Sequence, residues 1–328
     1  MDNIQEDQES ARLAMLDMLY ETQLQALKQP IMGSPGLAGA GRTGPLGFRS
    51  GTSVVAQGDS WFDYLPGNDI IKALKRRGFI IKNYGSGGDT LENMLFGSTY
   101  RDGNWGRYPT EHLKVLESLK IIQPKFFLFS GGGNDIAGPE LAPYLNHAGL
   151  APDKPLREDY LNFMFRQVFR ASYEFMINSV STAHPGVQII LHGYGHAIPT
   201  GKGVVNFGPW RFVGPWLRPS LTAKGILDPR VQAGIIQRMI DVFNEMLAEL
   251  AGSYPNVHYI DLRKLIVGHD WVNELHLNRA GYEKVGDKYL SLMKSMMTDT
   301  QRLELEESQA FVSDFLRGDD SALLNLIH

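Results

Sequence analysis

Four short stretches of this 328-residue chain replace apolar side chains with small, polar and acid–base ones. They are Gly58-Asp59-Ser60, Asn83 to Thr90 (NYGSGGDT), Ser130 to Ile136 (SGGGNDI) and His269 to Tyr282 (HDWVNELHLNRAGY). Acyl transfer needs a nucleophile, a base to take its proton, and donors aimed at the oxyanion that develops. Ser60 and His276 supply the first two, and the backbone N–H of Gly88 with the side-chain amide of Asn134 supplies the third. Glycine at 88 keeps a Cβ away from a substrate oxygen approaching its N–H. Asparagine at 134 remains a donor at any pH, where an aspartate would repel the oxyanion. By itself Ser60 also reads as a helix N-cap, since Asp and Ser both cap well; Asp59 is read as structural, with its carboxylate on loop N–H groups.

These residues work together only if the fold brings them to one place. Short β-rich runs at 53–56, 80–82, 126–129, 188–192 and 258–260 alternate with helical patterns near 67–77, 109–121, 157–182 and 229–251. Nearly continuous apolar runs are expected of parallel strands covered on both faces. The alternation predicts a doubly wound α/β sheet, whose ligands bind outside the carboxyl ends of the strands. Each chemistry-bearing stretch follows a predicted strand, so Ser60, Gly88, Asn134 and His276 are expected at one sheet edge.

With these blocks in hand, the chain resembles the SGNH (GDSL-type) hydrolase family of esterases and lipases. The resemblance rests on Gly58-Asp59-Ser60, on Asn83 with Gly88-Asp89-Thr90, on Gly132-Gly133-Asn134-Asp135 and on His276 in ELHLNRAGY, and spans roughly residues 52–285. It implies a flavodoxin-like three-layer α/β/α sandwich on a parallel five-stranded sheet. It also implies metal-free and cofactor-free ester hydrolysis through a serine acyl-enzyme, with Ser60, Gly88 and Asn134 as the oxyanion hole. The family usually carries an aspartate three residues before the histidine, where this chain has Asn273. Asp270 is the nearby acid expected to substitute, with Glu274 or a Ser–His dyad as the alternatives. Expected reactions are hydrolysis of short-chain or acetyl esters, acyl transfer to an alcohol or sugar, or, with catalysis weakened by Asn273, binding alone.

Trp61 and Phe62 beside the nucleophile, with Tyr194, His196, Trp210, Phe212 and Trp216 in the irregular 193–228 segment, are expected to line the substrate pocket. A loop that long inside a compact domain is usually functional. His192 and His196 have no third ligand nearby, so a metal site is not expected. GAGRTG at 39–44 satisfies a dinucleotide fingerprint but precedes the first strand, so that reading is rejected. No GxSxG elbow is present, which disfavours the α/β-hydrolase fold.

Three regions are expected: 1–48, a helical extension with a Gly/Pro-rich linker over Pro30–Gly47; 49–298, the hydrolase domain; and 299–328, a C-terminal helical extension. Leu13, Leu16, Leu19, Leu24 and Leu27 recur near helical spacing within 9–28. Both terminal helices are expected over the sheet or at a contact between copies of the chain. The net charge of −4 gives no broad attraction to nucleic acid, and the absence of cysteine excludes disulfides and thiol catalysis. An acidic N-terminus with no h-region, and no apolar stretch of spanning length, make the cytoplasm the expected location and a small-molecule ester the expected partner.

Overall fold

The structure, a computed structural model, describes residues 2–28, 52–64, 67–101, 104–107, 110–205 and 212–319. Pro30–Gly47, GAGRTG at 39–44 and Trp210 lie outside the described residues, as do the side chains of Leu24, Leu27 and Phe212.

Strands β1 (Ser53–Gly58), β2 (Ile80–Gly85), β5 (Phe126–Phe129), β6 (Gln188–His192) and β9 (Val257–Ile260) form one parallel sheet in the order β2-β1-β5-β6-β9. Two short antiparallel hairpins stand outside it, β3 (Ser98–Arg101) with β4 (Asn104–Arg107) and β7 (Val204–Val205) with β8 (Phe212–Val213). Helices α1 (Asp2–Lys28), α2 (Ile70–Arg76), α3 (Leu91–Phe96), α4 (Glu111–Ile122), α5 (Glu158–Phe163), α6 (Arg170–Ala183), α7 (Arg218–Ala223), α8 (Pro229–Ser253), α9 (Arg279–Ser295) and α10 (Asp299–Leu316) complete the chain. A π-helical stretch, Met164–Phe169, joins α5 to α6.

The central strands read as apolar runs because both of their faces are covered: every residue of β1 and of β5 is buried. Each phenylalanine of Phe126-Phe127-Leu128-Phe129 removes a whole side chain from water, about 1.5–3 kcal/mol apiece. Helix starts carry their caps. Thr110 accepts from His112 N, Asp228 from Arg230 N ahead of Pro229, and Asn278 from Gly281 N. The sequence reading omitted α9, which begins three residues after His276 and packs along α2.

Strand order reverses beside β1: the chain passes from β1 to β2 on one side and returns to β5 on the other. The connections that leave β1 and β5 therefore run to opposite sides, and a crevice opens above the paired strand ends, where Ser60 and Asn134 follow their strands. The terminal helices meet at the β2 edge. Leu13, Leu16 and Tyr20 of α1, Ile80, and Val312 and Phe315 of α10 form a second, smaller apolar cluster. Arg12 donates to Phe315 O at 2.7 Å, and Glu9 receives Arg76 at 3.0 Å and Arg279 at 2.8 Å. Partly exposed pairs of this kind contribute about 0–1 kcal/mol each, so the apolar cluster carries the docking. No described helix is long and apolar enough to cross a membrane.

Candidate active site

Ser60 sits in the tight turn that follows β1, where Phe62 N and Asp63 N both donate to Asp59 O at 3.0 and 3.1 Å. The capping role falls to Asp59, whose Oδ1 accepts from Trp61 N at 2.9 Å. That leaves the Ser60 hydroxyl free to turn outward, and its Oγ lies 2.8 Å from Nε2 of His276. Asp59 does not gather several loop N–H groups, as the sequence suggested. Its other partners are hydroxyls, Ser130 at 2.8 Å and Tyr194 at 2.7 Å, and these tie the serine turn to the ends of β5 and β6.

His276 is buried, and loss of hydration pushes its pKa down to about 3. Its Nδ1 faces Asn273 Oδ1 at 3.1 Å. The amide is not free to present its NH2 instead. Oδ1 also accepts from the backbone N–H groups of Leu275 and His276, both at 2.9 Å, while Nδ2 donates to Tyr64 OH at 3.1 Å. With Oδ1 facing it, Nδ1 carries the imidazole hydrogen and Nε2 is left as the acceptor toward Ser60.

Asp270 does not face His276. Its carboxylate is fully buried against Lys284 Nζ at 2.7 and 2.9 Å and Val267 N at 2.9 Å, a pairing that consumes it. Glu274 also points elsewhere: it accepts from Gly201 N (2.8 Å), Trp216 N (2.6 Å), Leu217 N (2.7 Å) and Arg218 N (3.2 Å). This buried carboxylate fastens the irregular segment to the histidine loop. No feature of the neighbouring residues marks this role, because its partners are backbone N–H groups far along the chain.

Gly88 and Asn134 line the same cleft as Ser60 and His276. Gly88 has φ +92° with open space where a Cβ would stand, so its backbone conformation, more than any crowding, calls for glycine. Asn134 Nδ2 donates one hydrogen to Asp89 O at 2.9 Å, and Asp135 accepts from Leu91 N at 3.0 Å. Desolvation pushes the Asp135 carboxyl up to about 7, against the pull of that N–H. These two contacts bind the loop after β5 to the loop after β2. Asn83 does the same for β1, donating to Phe62 O at 2.9 Å while accepting from Gly85 N at 3.0 Å.

Two cavities meet at Ser60. The cleft, about 430 Å³, is walled by Tyr64, Ser86, Gly88, Trp216 and His276. An apolar slot of about 50 Å³ lies between Trp61, Leu217 and the Ile236, Met239 and Ile240 face of α8. Ser60, Asn134 and Leu275 belong to both.

Of the expected pocket aromatics, Trp61 and Tyr194 line the slot, although the Tyr194 hydroxyl is committed to Asp59. Trp216 lines the cleft, its ring 5.5 Å from that of His276. Phe62 does not reach either cavity; it is buried in the core against His192. His196 is turned away toward Asp241 at 2.9 Å. His192 bonds Gly193 O and stacks on Trp61, and among the described residues no three His, Asp or Glu side chains gather as a metal site. Sequence reasoning missed Tyr64, whose ring lies against the imidazole; nothing in a lone tyrosine after the serine turn marks it.

A family model described as the GDSL-like Lipase/Acylhydrolase family matches residues 47–284. Among solved structures, the chain is similar to an extracellular lipase from Streptomyces rimosus at 16% identity, covering 75% of this chain and 100% of that one, with a TM-score of 0.44. It is similar to a Clostridium thermocellum family 3 carbohydrate esterase at 14% identity, covering 75% and 99%, with a TM-score of 0.41. A third is the periplasmic domain of a Salmonella ser. Paratyphi A lipopolysaccharide acetyltransferase, at 14% identity, 74% and 85% coverage, and a TM-score of 0.42. No curated protein matches the sequence.

Proposed function

Because this chain belongs to the GDSL-like lipase/acylhydrolase family, we propose that it is a serine carboxylic ester hydrolase working through an acyl-enzyme on Ser60, with esters of short acyl groups as substrates. Ser60 Oγ attacks the ester carbonyl carbon while His276 Nε2 takes its proton. The Ser60 and Gly88 N–H groups and the second N–H of the Asn134 amide meet the oxyanion of the tetrahedral intermediate. Collapse breaks the bond to the alkoxide, which leaves with the proton held by His276. Water, deprotonated by the same imidazole, then attacks the acyl carbon; the bond to Ser60 Oγ breaks, Oγ takes the proton back from His276, and the carboxylic acid leaves.

The observation that carries this reading is the run of contacts from Ser60 Oγ to His276 Nε2 at 2.8 Å and from His276 Nδ1 to Asn273 Oδ1 at 3.1 Å. Replacing the acid of a serine protease triad by its amide costs about 10⁴ in rate, attributed to the wrong tautomer. Here two backbone N–H groups hold the amide oxygen toward the imidazole, which supports the productive tautomer and removes that objection. The remaining deficit is electrostatic, since a neutral amide gives the imidazolium no counter-charge.

A fluorophosphonate probe and p-nitrophenyl butyrate test the reading together. Wild type is expected to label covalently at Ser60 and to release p-nitrophenol, and Ser60→Ala to do neither. A wild type that does not label would return the chain to a binding role. Product analysis with an added alcohol separates hydrolysis from acyl transfer.

A further inference from the structure

The two cavities at Ser60 are chemically unlike, and only one of them contains the base. His276 and Gly88 line the cleft and not the slot, whereas Ile236, Met239 and Ile240 line the slot and not the cleft. In the ester hydrolysis proposed above, on which this inference rests, the imidazole must hand its proton to the departing alkoxide. The alcohol portion therefore lies on the His276 side, and the acyl portion extends from the carbonyl carbon in the opposite direction.

We infer that the slot is the acyl site and that Met239 on α8 sets the length of chain it accepts. Positions 236, 239 and 240 share one helix face, so α8 gives the slot a rigid wall rather than a loop. Met239 is fully buried. A cavity of about 50 Å³ holds about two water-sized groups at roughly 30 Å³ each, which matches a short acyl chain with about two or three carbons beyond the carbonyl. Ala197 lines the same slot from the segment after β6 and is half-buried, so a larger side chain there takes up slot volume.

The test is a series of p-nitrophenyl esters from acetate to decanoate on wild type, Met239→Ala and Ala197→Leu. Activities are compared as ratios of kcat/KM within each variant, so that the folded fraction cancels. In wild type kcat/KM is expected to rise about fourfold per methylene up to propionate or butyrate and then to fall. Met239→Ala should raise the octanoate-to-acetate ratio at least tenfold, and Ala197→Leu should lower the butyrate-to-acetate ratio at least tenfold. A parallel series of acetate esters with growing alcohols should keep its ratios within threefold in both variants. Unmoved acyl ratios in two variants that still label at Ser60 would overturn the assignment, as would ratios that follow the alcohol instead. A wild type that neither turns over esters nor labels would overturn the ester-hydrolase reading itself, and the slot assignment with it.

Discussion

The ring of Tyr64 lies flat on the imidazole of His276, with centroids 3.9 Å apart and planes 10° from parallel, while its hydroxyl accepts the Asn273 amide at 3.1 Å. One side chain thus holds both the plane of the imidazole and the amide behind it. In the proposed mechanism Tyr64 is a positioning residue. Tyr64→Phe keeps the stack and loses one hydrogen bond, worth about 0.5–1.5 kcal/mol, so kcat should fall about 2- to 12-fold with KM little changed. Tyr64→Ala should cost considerably more than Tyr64→Phe. Equal losses in the two variants would remove the stacked ring from the account.

Asn134→Ala removes a donor proposed for the oxyanion. A loss of about 10²–10³ in kcat is expected, with KM within a few-fold of wild type. Ester turnover at the wild-type rate would take Asn134 out of the mechanism.

The pH profile distinguishes Asn273 from Asp270 as the partner of His276. Burial without a counter-charge holds the imidazole pKa down at about 3, so the base stays neutral across mildly acid pH and the acid limb of kcat/KM should lie well below pH 6. Asn273→Asp places a carboxylate beside Nδ1, favours the protonated ring and should move that limb upward by one unit or more. Asp270→Asn breaks the Lys284 pair and should lower Tm, yet leave the acid limb where it is. The reverse pattern would make Asp270 the partner.

Stability should share part of this pH dependence. The folded-state pKa of His276 lies below the unfolded value of about 6.5, so the unfolded chain binds the extra proton first. Stability from this group is complete above about pH 6.5 and is lost as pH falls toward 3. His276→Gln should flatten the decline in Tm over that window, as measured by thermal unfolding at several pH values.

How far the sequence was legible depended on whether a residue acts where its type predicts. Phe126-Phe127-Leu128-Phe129 could be read as a central strand because burial on both faces leaves no polar alternation. Ser60, Gly88, Asn134 and His276 could be placed together because each follows a strand end of one parallel sheet. Phe62 and His196 were misread because residue type does not say which way a side chain turns after a strand: Phe62 folds back into the core and His196 toward Asp241. The anchoring role of Glu274, weighed only as an alternative acid, and the stacking of Tyr64 escaped because their partners are backbone N–H groups and a ring face, at least 56 and 209 residues away respectively, which leave no pattern in the neighbouring residues.

Glu274 also joins the wall of the cleft to the loop that carries His276. Its carboxylate holds the N–H groups of Gly201, Trp216, Leu217 and Arg218, and its own backbone runs two residues on into His276. The Trp216 wall and the base therefore share one hinge pin. A fluctuation that swings the wall outward pulls on the loop bearing the imidazole, so an open form is also a silent form. Amide exchange at Leu217 and His276 should therefore report one shared opening.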